Sequence, residues 1–184
     1  MRLFRLFPFD SNAAPDEKGG VLYSPGSTLG RIANPGLYRE LYVSLEPEAA
    51  IAETLGRLPT WYPSDFVHAN RNRLALATYD LPDAAPIFDL NSVEALVALG
   101  IERPSEVVTR DRKITRSWAR AIFERGQYIG ARWWSFYNPD WTSVGLWRVA
   151  RLRVIGTPEA LSAEHPLVQN AAQEIVRQIV LAHP

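Results

Sequence analysis

The chain has 184 residues, 47% of them hydrophobic, which is enough to bury one substantial core and short for two, so residues 1–184 are read as one domain. Twenty Lys and Arg balance twenty Asp and Glu, so no net field draws the protein to nucleic acid or an anionic membrane, and neither is expected as a partner. Cysteine is absent, which removes disulfides, thiolate nucleophiles and sulfur-ligated zinc.

The first apolar stretch, Met1 to Pro8, carries charges inside it and has no small-residue cleavage site after it, so secretion is not expected. No uncharged run approaches the roughly 18 to 20 apolar residues that span a bilayer, and the expectation is a soluble, cytoplasmic protein. After a short first strand, Ser11 to Gly20 is polar with a Pro and a Gly pair and reads as a loop. Tyr38 to Leu45 then alternates as a strand: Leu41, Val43 and Leu45 point one way, and Glu40, Tyr42 and Ser44 the other. Glu46-Pro47-Glu48 looks like a helix start, since Pro fits the first helical position and carboxylates favour the helix dipole there. That helix should run to about Gly56 with Ile51, Leu55 and Leu58 as its core stripe, which turns Glu53 about 200° from Ile51 and off the stripe.

Leu74 to Leu81 reads as a strand, Ser92 to Leu99 as a short helix stopped by Gly100, and Thr115 to Arg125 as a helix stopped by Gly126. Two more strands are expected around Trp133 to Tyr137 and Leu146 to Ile155, and an amphipathic helix from Pro166 to Ala182 with Val168, Ala171, Ile175 and Ile179 buried. Strands and helices interleave without a regular βαβ rhythm, which favours an α+β fold.

Most catalytic signatures are missing. The chain has no Gly-rich phosphate loop followed by Lys, no G-x-G-x-x-G, no H-E-x-x-H and no G-x-S-x-G. Its histidines, His68, His165 and His183, read as surface or capping residues, and no metal is implied. What stands out is Gly19 to Glu53, where a Gly-flanked Arg31 in a turn-rich loop precedes Tyr42 on the polar side of a strand and Glu53 on the off-core face of the next helix. Each alone is ordinary. A strand and the helix after it can nevertheless bring Tyr42 and Glu53 to one cleft. A second cluster, Gly126 to Trp141, is strongly aromatic; at least two of Trp133, Trp134, Phe136 and Tyr137 are expected to pack in the core, with Ser135 among them able to line a pocket or satisfy backbone groups.

The pattern G-R-x-x-N-P, then Y-x-x-L-Y-V-S, then P-x-A-A-I-A-E, followed by a W-A-R-A-I helix and a G-x-x-x-x-S segment, resembles the RES domain, named for its Arg, Glu and Ser. Here those positions are Arg31, Glu53 and Ser135, with Tyr42 the accompanying tyrosine and Trp118-Ala119-Arg120 in the preceding helix. The resemblance runs from about Phe4 into the terminal helix. It implies a compact single domain of α+β class, ADP-ribosyltransferase-like, with a split mixed β-sheet flanked by helices around a cleft for nicotinamide adenine dinucleotide (NAD). It also implies a toxin that depletes NAD by hydrolysis or phosphorolysis and is neutralised by an antitoxin with an Xre-type helix-turn-helix domain. NAD is then the substrate, no cofactor is needed, and a homodimer is compatible with the pattern.

The residue types suit that chemistry. Arg31 offers a permanent planar charge for a pyrophosphate or ribose-linked phosphate, and Tyr42 a flat face and a hydroxyl. Cleavage of the nicotinamide–ribose bond passes through an oxocarbenium-like state, whose charge Glu53 can stabilise while it holds ribose hydroxyls. Nicotinamide leaves as a neutral ring, so no general acid is required. Ser135 would hydrogen-bond substrate or hold Glu53, since no base stands beside it in the sequence to make it a nucleophile. Two other readings stay open: transfer of ADP-ribose to a macromolecule, and a non-catalytic module that uses Tyr128 to Trp141 as a ligand or partner surface.

Overall fold

A computed structural model describes residues 1–26, 28–68 and 71–181. Seven strands form one mixed sheet in the spatial order β5 (Ile87–Asp89), β6 (Gly130–Trp134), β7 (Thr142–Leu146), β2 (Leu41–Ser44), β1 (Arg2–Phe9), β4 (Arg73–Asp80) and β8 (Arg153–Ala160). Only β5 and β6 run parallel; every other neighbouring pair is antiparallel. A second small sheet pairs β3 (Thr60–Trp61) with β9 (Gln178–Ile179) in parallel. The helices are α1 (Pro47–Leu55), α2 (Val93–Ala98), α3 (Ser105–Val108), α4 (Arg112–Glu124) and α5 (Pro166–Glu174). The class is α+β, with a mixed sheet flanked by helices. Among the described residues, no helix is long and apolar enough to cross a membrane.

The large sheet has a seam. β1 pairs with β4 over eight consecutive residues, whereas β1 and β2 share a single register pair, Phe4 with Ser44. Different layers cover the two sides. Ile51 and Leu55 of α1 and Val168, Ala171 and Ala172 of α5 pack with Leu6, Leu74 and Leu76 in one cluster. Leu96 of α2, Val107 of α3 and Trp118 and Ile122 of α4 pack with Phe88, Ala131 and Trp133 in another. Leu3, Phe7, Leu41, Val43, Tyr79 and Val144 make a third core. Each fully buried Leu or Ile here stabilises the fold by roughly 1.5–3 kcal/mol.

Several expected elements have different bounds, for local reasons. The strand expected over Tyr38 to Leu45 is shorter, because Tyr38 turns its hydroxyl onto the Ile32 carbonyl at 2.5 Å and packs against Phe123 and Trp147. The helix expected from Thr115 begins one turn earlier at Arg112, where Asp111 caps the Lys113 N–H. The strand expected over Trp133 to Tyr137 ends at Trp134, and the one expected over Leu146 to Ile155 is two strands separated by Trp147 to Leu152. The Trp147 and Arg148 N–H groups both donate to the Ile129 carbonyl, and the Leu152 N–H to that of Val149, which turns the chain.

The largest correction is at the end of the chain. The helix expected from Pro166 to Ala182 stops at Glu174. The Arg177 N–H donates to the Ala172 carbonyl and the Val176 N–H to that of Gln173, a Schellman ending, with Val176 at φ 55° in the left-handed region. Ile179 then lies in β9, partly buried against the α1–α5 core, rather than on a helical stripe. Ala182 and His183 lie outside the described residues.

Candidate functional site

The seam between β1 and β2 opens into a cavity of about 360 Å³, a size that suits a small-molecule site. Phe4, Arg5 and Leu6 of β1 form one wall and Glu40, Tyr42 and Ser44 another. The period-2 alternation of the strand explains that second wall, since Leu41 and Val43 pack into the core on the opposite side, although Val43 also touches the cavity. Above them lie Ala50, Glu53 and Thr54 of α1, Gly30 and Arg31 of the preceding loop, Arg112 at the start of α4, and Trp133 and Ser143.

Glu53 is exposed on α1 while Ile51, Ala52 and Leu55 are buried, as helical spacing requires. The helix is fixed at its start by Glu46, whose Oε2 accepts the Thr142 N–H at 2.8 Å, and by Pro47 in its first turn. Two hydroxyls converge on the same Glu53 oxygen: Ser135 Oγ donates to Oε1 at 2.7 Å and Ser143 Oγ at 3.1 Å. Both serines are nearly fully buried. Ser143 sits on β7 opposite Ser44 and borders the cavity, whereas Ser135 stands behind Glu53, where its Oγ also accepts the Tyr137 N–H at 3.1 Å. Fixing Oε1 in this way leaves Oε2 without a hydrogen bond among the described residues.

Tyr42 points from β2 beneath the loop. Its hydroxyl oxygen accepts the Ile32 N–H at 3.1 Å, and burial pushes its pKa up from the usual tyrosine value, so it is a neutral phenol. A Cβ on Gly30 would lie 2.2 Å from that hydroxyl, so only glycine lets the loop approach so closely. Arg31 is tied by Nη1 to the carbonyls of Val107 and Thr109, at 2.9 and 2.8 Å. Its Nε and Nη2 carry no hydrogen bond among the described residues. Burial, followed by the neighbouring charge of Arg112, pulls the Arg31 pKa down to about 10, while Glu53 and Tyr42 act in the opposite direction. The guanidinium is therefore charged at neutral pH and electrostatically close to Glu53.

Arg112 and Arg116 fasten the same loop from the α4 side. Arg112 Nε donates to the Leu29 carbonyl at 3.1 Å, and Arg116 Nη2 to that of Thr28. Arg5 is held over the Phe7 ring at 4.8 Å, with Nη1 reaching the Val21 carbonyl at 3.4 Å. Arg31 and Arg112 thus border a cavity whose acidic groups are Glu40 and Glu53, while Arg5 touches it from β1 with its guanidinium turned onto Phe7 and Val21.

Sequence reasoning singled out Arg31, Tyr42, Glu53 and Ser135, and the fold brings all four to one region, three on the cavity wall and Ser135 one hydrogen bond behind. It passed over Ser143, Arg5 and Arg112, read Trp133 among the core-packing aromatics, and gave Glu40 no role. The strand alternation that put Glu40 beside Tyr42 and Ser44 was the available signal for Glu40; nothing local marks Ser143, whose role depends on register with a distant strand. In the aromatic cluster, Trp133 is buried and Tyr137 packs against the α1–α5 core, while Phe136 is exposed under the Arg110 guanidinium at 5.0 Å. His165 caps α5 by accepting the Leu167 N–H at Nδ1, and His68 is exposed.

No curated protein matches the chain. Among solved structures, the fold is similar to a chain in the crystal structure of the M. tuberculosis MbcT–MbcA toxin–antitoxin complex, with a TM-score of 0.61 at 13% identity, over 95% of this chain and 88% of that one. The RES domain family model matches residues 2–167. That span holds β1, the Arg31 loop, β2, α1 and the Ser135 segment, and so the whole cavity wall; this chain belongs to the RES domain family.

Proposed function

We propose that this chain is an NAD-consuming enzyme, one RES domain over residues 1–184, that cleaves the nicotinamide–ribose bond by hydrolysis or phosphorolysis and acts as the toxin of a toxin–antitoxin pair. The observation that carries the reading is the Glu53 carboxylate, presented to an arginine-lined cavity with one oxygen held by two serine hydroxyls and the other open. Such preorganisation matters most where positive charge develops, because the carboxylate need not reorient as the reaction proceeds.

In this reading the free edge of Arg31, with Arg112 nearby, binds the diphosphate, and Tyr42 and Trp133 offer ring faces to the reacting half of the dinucleotide. The C1′–N1 bond breaks with its electron pair going to the nicotinamide nitrogen, which leaves neutral. Oε2 of Glu53 faces the cationic ribose and takes its hydroxyls. An oxygen of water or phosphate then bonds to C1′; with water, the proton released passes to solvent. Ser135 and Ser143 act through Glu53 as positioning residues. The similar M. tuberculosis structure is that of a toxin–antitoxin complex, which supports an antitoxin as partner; an Xre-type helix-turn-helix protein in the same cytoplasm is the one the family suggests.

The test is incubation of the full chain with NAD, with and without phosphate, followed by product identification. Free nicotinamide with ADP-ribose or its 1″-phosphate is expected, lost on Glu53→Gln with folding retained. Intact NAD, or ADP-ribose attached only to a macromolecule, overturns the reading.

A further inference from the structure

The two ends of the cavity wall along β2 differ in a way the cleavage chemistry does not explain. At one end Ser44 pairs with Ser143, which holds Glu53. At the other end stands Glu40, two residues before Tyr42 and only 3% exposed. Its Oε1 is buried without a hydrogen-bond partner. Burial pushes its pKa up from the usual glutamate value, which its own backbone N–H and the nearby charge of Arg116 only partly offset; Glu40 and Arg116 form no ion pair, and the Nε of Arg116 is likewise buried without a partner. The neighbouring Ser24 hydroxyl is spent on the Glu40 backbone carbonyl at 2.6 Å.

An unpaired carboxylate oxygen in a protein interior costs several kcal/mol, and few native groups carry that cost without a role. Here it borders a cavity lined by Arg31 and Arg112. Glu40, just before β2, is four residue steps from Ser44 at its end, about 13 Å at the rise of a strand. A ligand whose reacting ribose meets Glu53, and whose diphosphate meets the arginines, reaches Glu40 with its remote half.

Resting on the NAD reading above, we propose that Glu40 accepts a hydrogen bond from a hydroxyl of the remote, adenosine ribose, and so selects a dinucleotide with free hydroxyls there against one with a 2′-phosphate. A hydroxyl supplies the donor that Oε1 lacks. A phosphate in the same place offers only acceptors and brings like charge against a carboxylate in a low-dielectric wall, where repulsion is strong. Dinucleotide-binding folds of unrelated architecture use an acidic residue on the ribose for the same physical reason.

Equilibrium binding of NAD and of NADP to the full-length Glu53→Gln chain, which removes turnover, tests this. NAD is expected to bind at least about tenfold tighter, since a hydrogen bond to a charged group is worth roughly that or more. Adding Glu40→Gln should shrink the preference to about threefold or less, chiefly by tightening NADP. Equal affinities in Glu53→Gln, an unchanged preference in the double variant, or binding of neither dinucleotide overturns the assignment. The preference of the Glu53→Gln chain stands as a test even if the variant that adds Glu40→Gln fails to fold. Nicotinamide release separates the two claims. If NAD is preferred through Glu40 but wild-type protein releases no nicotinamide, Glu40 keeps its role and the cleavage reading fails; release from both dinucleotides at equal efficiency has the reverse meaning.

Discussion

Glu53 shows how much a single side chain owes to its surroundings. A glutamate on a helix surface is ordinarily a solvated charge that samples many rotamers; two hydroxyls on Oε1 restrict this one. Removing one of them should leave the carboxylate present but less well aimed. Ser143→Ala is therefore expected to lower kcat by about tenfold, in line with the loss of one hydrogen bond to a charged group, with KM changed little. Ser143→Thr, which keeps the hydroxyl, should recover most of the rate. Equal loss in both variants would point to packing against β2 rather than to the hydroxyl, and a kcat unchanged in Ser143→Ala would sink the positioning role. Glu53 and Tyr42 were legible in the sequence because their phase relative to the core residues is a local property, 3.6 residues in α1 and 2 in β2. Arg31, marked locally only by its place in a turn-rich loop after a glycine, rested mostly on the family pattern, and the fold gives it a second task the pattern does not state, the anchoring of the Val107 and Thr109 carbonyls. Ser143 was invisible, since its reach to Glu53 crosses 90 positions of chain.

Among the elements, those with a strong local signal stand where expected. The first helix has Pro47 in its first turn and ends at Gly56, and α2 has Ser92 accepting the Ala95 N–H and Gly100 at φ 67° beyond its end. The failure at α5 has a definite cause. Its stop is built on Val176, a β-branched residue in a conformation that disfavours it, so no glycine or asparagine marks the end. Tertiary contacts impose the stop: Arg177 sends Nε and Nη2 to the Gly56 carbonyl at 3.0 and 2.8 Å, tying the ends of α5 and α1 together and feeding the chain into β9. Because the Val176 side chain is 86% exposed, it contributes little packing in return for the strain. Val176→Gly should accordingly stabilise the protein by about 1 kcal/mol, the scale of the left-handed penalty, and raise the melting temperature by roughly 2–4 °C. Thermal unfolding of the variant measures this directly, and a lower melting temperature would mean that the left-handed residue is not strained as described.

At the level of the whole molecule, the single register pair between β1 and β2 joins two well-packed bodies of sheet, and the cavity occupies the seam. The arrangement was legible in outline, since interleaved strands and helices pointed to an α+β fold and the family pattern to a split sheet. Which strands border the split was not, because β2 pairs with β7 across a hundred residues of chain and no local period encodes that choice. A dinucleotide in the cavity touches β1, β2, α1 and the start of α4 together, so its binding energy falls on the weakest joint of the sheet. In the Glu53→Gln protein, NAD at about 100 times its dissociation constant should stabilise the fold by about 2.7 kcal/mol through mass action. For a chain of this size that is a rise of roughly 5–11 °C in melting temperature. Amide exchange locates the effect: protection should increase most at Phe4 to Leu6 and Leu41 to Ser44, on either side of the seam, and least where β4 pairs with β8 at the far edge. Arg31→Ala should need a higher NAD concentration for the same shift. Stabilisation without added protection at the seam would place the ligand elsewhere on the molecule, and the absence of any shift at saturating NAD would remove the cavity as its binding site.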